Sequence, residues 1–265
     1  MKNLEGKHAV VFGAGGSVGA AVAKEFAAEG AEVFLAGRTK ANVETVMRHI
    51  TEDGGRAQAA VIDAEDYAAV DKYLDEIVRQ TPSIDIVFNA IGPRANEYGN
   101  GKHAVDVTIE EFMVPVTTIL KSQFITSRAA ARHMVKQHSG VIIFLTGSPA
   151  RGHVQGATAI GTAFGAIESL TENLATEVGP SGVRVVCLRT MANTDSRTIQ
   201  ETVEALASAM HVTKDQVIAQ MAGMNFLKVA ASVSDTAKAA VLVASDRGRL
   251  ITGTVVNSTA GAALD

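Results

Sequence analysis

The sequence feature that most limits how this chain can fold is a glycine-rich turn between an apolar strand and an alanine-rich helix, in the segment VVFGAGGSVGAAVAKEF at residues 10–26. Glycines in such a turn let the backbone reverse sharply and approach a ligand closely. The helix that follows points unpaired amides and the positive end of its dipole at the turn, where they favour a phosphate group. Because the glycines follow a predicted strand and open a helix, the pattern predicts a dinucleotide-binding loop; a tight structural turn is the alternative. The residues of the predicted loop are Gly13, Gly15, Gly16, Ser17, Val18 and Gly19.

Predicted strands and helices alternate strictly along the rest of the chain, which indicates a parallel sheet covered by helices on both faces. We therefore predict one α/β domain over residues 1–265, a Rossmann-type doubly wound fold with about seven strands. A capping box predicts the start of one long helix at residues 109–137. A polar segment without periodicity, residues 94–107, is predicted to be a loop over the site. Residues 195–226 are predicted to form a helical flap over the substrate.

Composition and charge exclude several classes of partner. The formal net charge is -4 and there is no basic run, which argues against binding to nucleic acid or to an anionic membrane surface. The longest apolar runs are far too short to span a bilayer and the start of the chain lacks a signal-peptide pattern, so we expect a cytoplasmic protein. Cys187 lies in the run VRVVCL and is predicted to be a buried strand residue. The spacing of His, Cys and carboxylates indicates neither a metal site nor a Ser-His-Asp triad.

Residues that follow the later predicted strands indicate which dinucleotide the chain binds. The second strand ends at Arg38 without a carboxylate. An arginine there pairs with a ribose 2′-phosphate, so we predict NADP(H) as the cofactor; a solvated surface role for Arg38 is the alternative. Asp63 follows the third strand, where it either binds the adenine amine or caps the next helix. Asn89, Ala90 and Gly92 follow the fourth strand, where small residues let the backbone lie against the cofactor.

Three motifs in this order and spacing resemble those of the short-chain dehydrogenase/reductase family, over essentially the whole chain. The family's T-G-x-x-x-G-x-G motif falls on residues 12–19, with Phe12 in place of the threonine and Ser17 in place of the middle glycine. Its N-N-A-G motif falls on residues 88–91, and its late T-G pair falls on residues 252–253. The run ENLATEVGPSGVRVVCL also matches. The resemblance implies hydride transfer between a nicotinamide and a carbonyl or alcohol carbon.

The resemblance also implies four catalytic side chains, of which this sequence keeps one. The family's serine, which orients the substrate oxygen, falls on Ser148. The tyrosine and lysine of the Y-x-x-x-K motif fall on Gly161 and Gly165, and the asparagine of the proton relay falls on Ile119. No tyrosine follows Tyr98, so no shift of the alignment restores the motif. General acid catalysis contributes roughly 10²- to 10⁴-fold, so the loss of the tyrosine predicts an atypical site with a different proton donor.

Loop residues near Ser148 are the candidates for that donor and for substrate contacts. His153 lies in the segment that lines the substrate pocket in this family, and an imidazole is a competent acid. We predict Ser148 and His153 as the catalytic pair, with an isolated surface role for His153 as the alternative. Further candidates to polarise a carbonyl or to bind a substrate carboxylate stand in the same loop and in the earlier one: Arg151, Arg94, Tyr98 and His103.

Three hypotheses for function remain open from the sequence. The first is an NADPH-dependent oxidoreductase acting on a small molecule, with Ser148, a water or His153 supplying the proton. The second is a catalytically silent NADP(H)-binding protein that acts as a sensor or as a partner subunit. The third is an enzyme with non-redox chemistry, which the retained glycines and Arg38 disfavour. Proteins of this family usually form homotetramers through two long helices, here about 109–137 and 158–178, so we expect a homo-oligomer, either a tetramer or a dimer.

Overall fold

Seven parallel strands form the centre of the protein in the order β3-β2-β1-β4-β5-β6-β7. The computed structural model describes residues 2–152 and 154–265. Within these ranges the strands are β1 (His8–Phe12), β2 (Glu32–Gly37), β3 (Arg56–Val61), β4 (Ile86–Asn89), β5 (Gly140–Gly147), β6 (Val183–Thr190) and β7 (Thr254–Ser258). The strand order reverses between β1 and β4, and this confirms the predicted doubly wound α/β fold.

Helices connect the strands and cover both faces of the sheet, as predicted. They are α1 (Ser17–Ala28), α2 (Lys40–Glu52), α3 (Tyr67–Gln80), α4 (Ile109–Pro115), α5 (Ser122–Gln137), α6 (Thr158–Val178), α7 (Arg197–Met210), α8 (Lys214–Gly223) and α9 (Val233–Ala244). In the part of the chain that the structure describes, no helix is both long and apolar enough to cross a membrane.

Alternate side chains of the central strands pack into two separate hydrophobic cores, one on each face of the sheet. Val10 and Phe12 of β1 belong to the core beneath α3, α5 and α6, whereas Ala9 and Val11 belong to the core beneath α1, α2 and α9. This follows from the period of two in a strand, which sends successive side chains to opposite faces. Phe12, which stands where the family has threonine, packs edge-on against Tyr73 with ring centroids 6.4 Å apart. Cys187 is fully buried in β6, as predicted.

The long helix predicted at 109–137 is interrupted. A π-helical segment, Val116–Lys121, separates α4 from α5 and begins directly after Pro115. Proline has no N–H to donate and its ring crowds the preceding turn, which is a physical reason for the register change at this point. The predicted continuous α-helix was therefore wrong in the middle, although its start at Thr108 is confirmed by the capping box with Glu111.

The segment predicted to be a helical flap contains α7 and α8, which pack on each other around a small core of their own. Val203, Ala207 and Val217 are buried in that core. Thr213 and Gln216 form the capping box that begins α8, as their spacing predicts. The final strand lies later than predicted, at Thr254–Ser258 rather than at 251–256, because Thr252 and Gly253 instead bind the backbone of Val185 from outside the strand.

Candidate functional site

A cleft opens at the carboxyl ends of the strands, where the strand order reverses between β1 and β4. Ligands of open parallel sheets bind at this kind of position. The cleft has a volume of about 160 Å³. The residues that line it come from the ends of β1 to β4, from the segments that follow them, and from the π-helical segment and the start of α5. They are Phe12, Gly13, Gly16, Ala36, Gly37, Arg38, Ile62, Asp63, Ala64, Glu65, Ala90, Ile91, Gly92, Thr118 and Ser122.

Gly13 is the glycine on which the shape of this cleft depends. Its φ is +76°, and a Cβ at this position would lie 2.6 Å from the Ala90 carbonyl oxygen. A side chain is therefore excluded both by backbone conformation and by the neighbouring strand end. Gly16 is the N-cap of α1, so the amides of Ser17, Val18 and Gly19 are the first of the helix and have no acceptor inside it. These unpaired donors suit a diphosphate.

Arg38 and Asp63 both line the cleft, on the adjacent ends of β2 and β3. The Arg38 side chain is exposed and has no hydrogen bond or ion pair within residues 2–152 and 154–265. Asp63 accepts a hydrogen bond from the Glu65 amide at 3.0 Å. The N-cap of α3 is Asp66, whose side chain accepts from Ala68 and Ala69. The alternative that Asp63 caps this helix was therefore wrong.

The end of β4 contributes to the cleft mainly through its backbone and small residues. Ala90 and Gly92 line the cleft, whereas the Asn89 side chain is fully buried and points elsewhere. Its Oδ1 accepts a hydrogen bond from the Thr126 hydroxyl at 2.6 Å, which joins β4 to α5. Asn89 therefore braces the sheet beneath the cleft.

The sequence reasoning missed two hydroxyl residues that line the cleft, Thr118 and Ser122. Both lie where the π-helical segment passes into α5. Their spacing of four residues is the signal that would have placed them on one helix face. The Ser122 hydroxyl donates to the Thr118 carbonyl oxygen and is therefore already used within the helix. The sequence also did not single out seven other lining residues, all of which lie at the end of a predicted strand or just after one. They are Phe12, Ala36, Gly37, Ile62, Ala64, Glu65 and Ile91.

Ser148 begins a 3-10 turn, Ser148–Ala150, directly after β5, and its side chain is half-buried. The Ser148 carbonyl oxygen accepts hydrogen bonds from the amides of Arg151 (3.1 Å) and Gly152 (2.6 Å), which fix the turn. A Cβ on Gly161 would lie 2.7 Å from the Pro149 carbonyl oxygen. The turn therefore occupies the space that a side chain at Gly161 would need. Gly165, one helical turn later, has nothing within 4 Å of a Cβ.

The loop after β4 and the loop after β5 are joined at a pair of glycines. The Gly101 amide donates to the Gly156 carbonyl oxygen at 2.8 Å, and a Cβ on Gly156 would lie 2.6 Å from the Gly101 Cα. Tyr98, in the first loop, is only 7% exposed, and burial raises the pKa of its phenol. His153, predicted as a catalytic residue, lies outside the described residues.

A buried charge cluster beneath the Ser148 turn was not foreseen. Glu168 of α6 accepts hydrogen bonds from Arg189 of β6 through both carboxylate oxygens, at 2.7 and 3.0 Å. Arg189 also pairs with Asp265, and Arg151 reaches the same Glu168 carboxylate through its Nε at 3.2 Å. Glu168 and Arg189 are each 1% exposed. The residues are 21 apart in sequence, so only the packing of α6 on β6 brings them together.

Among the residues that the structure describes, no group of three or more His, Cys, Asp or Glu side chains is placed to hold a metal ion. The cleft and its surroundings offer backbone amides, hydroxyls, carboxylates and guanidinium groups. This set suits a phosphorylated organic ligand, because amides and arginines are the usual partners of phosphate.

Comparison with known proteins finds similarity to dehydrogenases and reductases, both in sequence and in structure. The family described as short chain dehydrogenase matches residues 7–206. The short-chain reductase protein NovJ of Streptomyces niveus is 29% identical over 253 residues, covering 96% of this chain and 92% of the relative. The meso-2,3-butanediol dehydrogenase of Serratia marcescens is 30% identical, covering 69% of each chain. Among solved structures, an NAD⁺-bound xylitol dehydrogenase is 26% identical with a TM-score of 0.87, covering 97% of this chain and 98% of that one.

Proposed function

Because the chain belongs to the short chain dehydrogenase family, we propose that it is an NADP(H)-dependent oxidoreductase that acts on a carbonyl, an imine or a similar unsaturated group. The observation that carries the proposal is Arg38, an exposed arginine at the adenosine end of the cleft whose side chain has no partner in the described residues. A guanidinium group is the usual partner of a ribose 2′-phosphate. A carboxylate, which would favour NAD(H), does not stand at this position.

The residues of the cleft fit a nicotinamide dinucleotide. Gly13 keeps the floor open where a Cβ would meet β4, and the first amides of α1 suit the diphosphate. Asp63 is placed to accept a bond from the adenine amine, and Ala90 and Gly92 allow close approach of the backbone. When bound, the cofactor supplies or accepts the hydride. The protein binds and orients it and holds the substrate oxygen near Ser148.

We propose that the proton donor is not a tyrosine, in contrast to the family's usual site. The spacing from Ser148 predicts the tyrosine position at Gly161 and the lysine position at Gly165. We propose that Ser148 orients the substrate oxygen and that the proton comes from Ser148, a water or His153. A site without a dedicated acid is expected to be slow and to favour reactive substrates, because the acid contributes roughly 10²- to 10⁴-fold in related chemistry.

A second function is supported by the contact between the Ser148 turn and α6. The Pro149 carbonyl oxygen lies close to the point where the side chain of residue 161 would begin. A tyrosine in place of Gly161 would therefore not fit unless the turn moved. This favours a catalytically silent NADP(H)-binding protein, a sensor or a partner subunit. Turnover separates the two functions: purified protein is mixed with NADPH and a panel of activated ketones, iminium salts and enones. Loss of the NADPH absorbance supports the oxidoreductase, and binding of NADPH without loss supports the silent protein.

The preference for NADP(H) is tested with Arg38→Ala. We expect this change to weaken NADPH binding by about 1 to 3 kcal/mol, the range for a hydrogen bond to a charged group, and to leave NADH binding nearly unchanged. Calorimetric titration of both cofactors measures the effect. Arg48→Ala is a control, because Arg48 is an exposed arginine on α2 whose side chain, among the described residues, hydrogen-bonds only to Thr45 of the same helix. Equal weakening of NADPH and NADH would show that Arg38 does not read the 2′-phosphate.

We propose that residues 195–226 act as a flap over the substrate, which is supported by the separate small core of α7 and α8. A cytoplasmic location and a homo-oligomer of four or two subunits also remain proposals.

A further inference from the structure

Four loop residues were candidates to contact the substrate, and one of them, Arg151, differs from the others in its contacts. Arg94 lies 3.9 Å from Glu201, which also pairs with Arg197. Tyr98 has its ring buried, and His103 is an exposed N-cap of a 3-10 turn. Arg151 alone among the four is held by a buried carboxylate, that of Glu168.

We propose that Arg151 is the anion-recognising residue of the substrate site, so that the preferred substrate carries a carboxylate or a comparable anion beside its carbonyl group. The inference rests on the proposed function, because it concerns the substrate of the same site. Glu168 is a positioning residue in this account: it orients the Arg151 guanidinium and does not itself touch the substrate.

The hydrogen bonds of Arg151 leave its outer donors available. From Arg151, Glu168 accepts a hydrogen bond only from Nε, at 3.2 Å, and the two Nη atoms form no hydrogen bond within the described ranges. The Asp265 carboxylate is near enough to interact with Arg151 electrostatically, without a hydrogen bond. The Arg151 side chain is 58% exposed, whereas that of Glu168 is 2% exposed. One edge of the guanidinium is therefore anchored in the interior while the other faces outward. A guanidinium in this state presents a fork of donors that matches a carboxylate.

The charge of Glu168 is largely engaged by another partner. Arg189 donates to both Glu168 oxygens, and Asp265 pairs with the third nitrogen of Arg189. Both members of the Glu168 and Arg189 pair are buried, where an ion pair with good geometry is stronger than in water. Glu168 therefore orients Arg151, but most of its negative charge is paired with Arg189, which lies closer. Because Arg151 is only partly neutralised by Glu168, its guanidinium can still attract an anion.

Arg151 belongs to the same turn as Ser148, the residue that we propose orients the substrate oxygen. Arg151 follows Ser148 by three residues, and its amide donates to the Ser148 carbonyl oxygen, which ties the two residues in one turn. Glu168 stands on the same face of α6 as Gly161 and Gly165, since residues at i, i+4 and i+7 align on a helix. Gly165 leaves open space on that face.

The test compares acids with their neutral methyl esters: pyruvate, phenylglyoxylate and a longer 2-oxo acid. Binding of each to NADP⁺-saturated protein is measured by calorimetry, with Arg151→Gln as the variant. We expect the wild type to bind at least one acid about ten- to a hundredfold more tightly than its ester, the range for a charged hydrogen bond. Arg151→Gln is expected to remove this preference and to leave ester binding nearly unchanged.

Two further variants control for structural effects. Arg132→Gln alters an arginine of similar exposure, 52%, that pairs with Asp71 on the surface outside the flap and the cleft, and it should leave the acid preference unchanged. Arg151→Lys keeps the charge but loses the planar fork, so an intermediate preference is expected. An equal affinity for acid and ester in the wild type overturns the inference, as does binding of neither, or equal weakening of both by Arg151→Gln. Failure of the proposed redox function is a separate result, seen as binding without consumption of NADPH.

Discussion

Individual polar side chains in this protein differ sharply in whether the fold gives them partners. Gln137, at the end of α5, exchanges two hydrogen bonds with the backbone of Ile84, at 3.0 and 2.9 Å. Gln123, near the start of the same helix, is fully buried, and its Oε1 and Nε2 atoms have no partner in the described residues. A buried polar group without a partner carries its full desolvation cost, whereas a paired one is stabilising.

This contrast predicts opposite effects for the same substitution at two positions of α5. Gln123→Met should raise the free energy of unfolding by about 1 to 3 kcal/mol, because it removes unpaired polar atoms and keeps a linear side chain of similar size. Gln137→Met should lower it by a similar amount, because it leaves the Ile84 amide and carbonyl unpaired. Urea denaturation measures both. A loss of stability in Gln123→Met would mean that the Gln123 amide is bonded to a ligand or a water.

Between elements, the glycine-rich turn and the flap are joined by one hydrogen bond. The Arg197 amide, the first of α7, donates to the Ser17 hydroxyl at 3.1 Å. Ser17 is also the first residue of α1 and replaces a glycine of the family motif. A glycine has no hydroxyl to accept this bond, so the departure from the motif gains a contact between the cofactor loop and the flap. The flap position is therefore linked to the loop that we propose holds the diphosphate.

Ser17→Ala is expected to loosen the flap without unfolding the protein. Loss of one neutral hydrogen bond costs about 0.5 to 1.5 kcal/mol, so hydrogen exchange of the α7 amides should accelerate roughly three- to tenfold. Thr202→Ala is the matched control, because within the part of the chain that the structure describes the Thr202 hydroxyl bonds only to the Thr198 carbonyl of its own helix, at 3.0 Å. If both variants exchange like the wild type, the Ser17 contact does not restrain the flap.

At the scale of the whole molecule, the two faces of the sheet are covered but one helical surface retains an apolar groove. It is lined by Val116, Thr117, Leu120, Lys121, Phe124 and Leu170. Phe124 is 49% exposed. The groove lies on the helices at 109–137 and 158–178 through which we expect subunits to associate. Aromatic and aliphatic side chains at the centre of a surface patch are typical of subunit interfaces.

Phe124→Glu is predicted to break the oligomer. A carboxylate in place of the phenyl ring would lose its hydration and remove apolar contact area from the interface, so the mass measured by light scattering should fall to that of one chain, 27.6 kDa. Leu250→Glu alters a residue that is 79% exposed and lies outside this groove, and it should leave the mass unchanged. A wild-type mass of 27.6 kDa would contradict the proposed association itself.

Local patterns in the sequence were sufficient for most of the fold. Apolar runs, helical periodicity and capping residues depend on neighbours a few positions apart, so the strands, the capping box at Thr108 and the glycine loop could be read from the chain. The candidates Gly13, Gly16, Arg38 and Asp63 fell on the cleft for the same reason, because the carboxyl ends of parallel strands share one edge. The π-helical segment was missed because a capping box identifies where a helix begins and says nothing about the register within it.

What only the tertiary structure decided is which distant residues meet. Glu168 and Arg189 are typical surface residues when read along the sequence, yet packing of α6 on β6 buries both and orients Arg151 beside Ser148. Ser17 meets Arg197 across 180 residues of chain. Such contacts depend on the relative placement of whole elements, which is set by the summed burial of two cores, and short-range spacing carries no information about it.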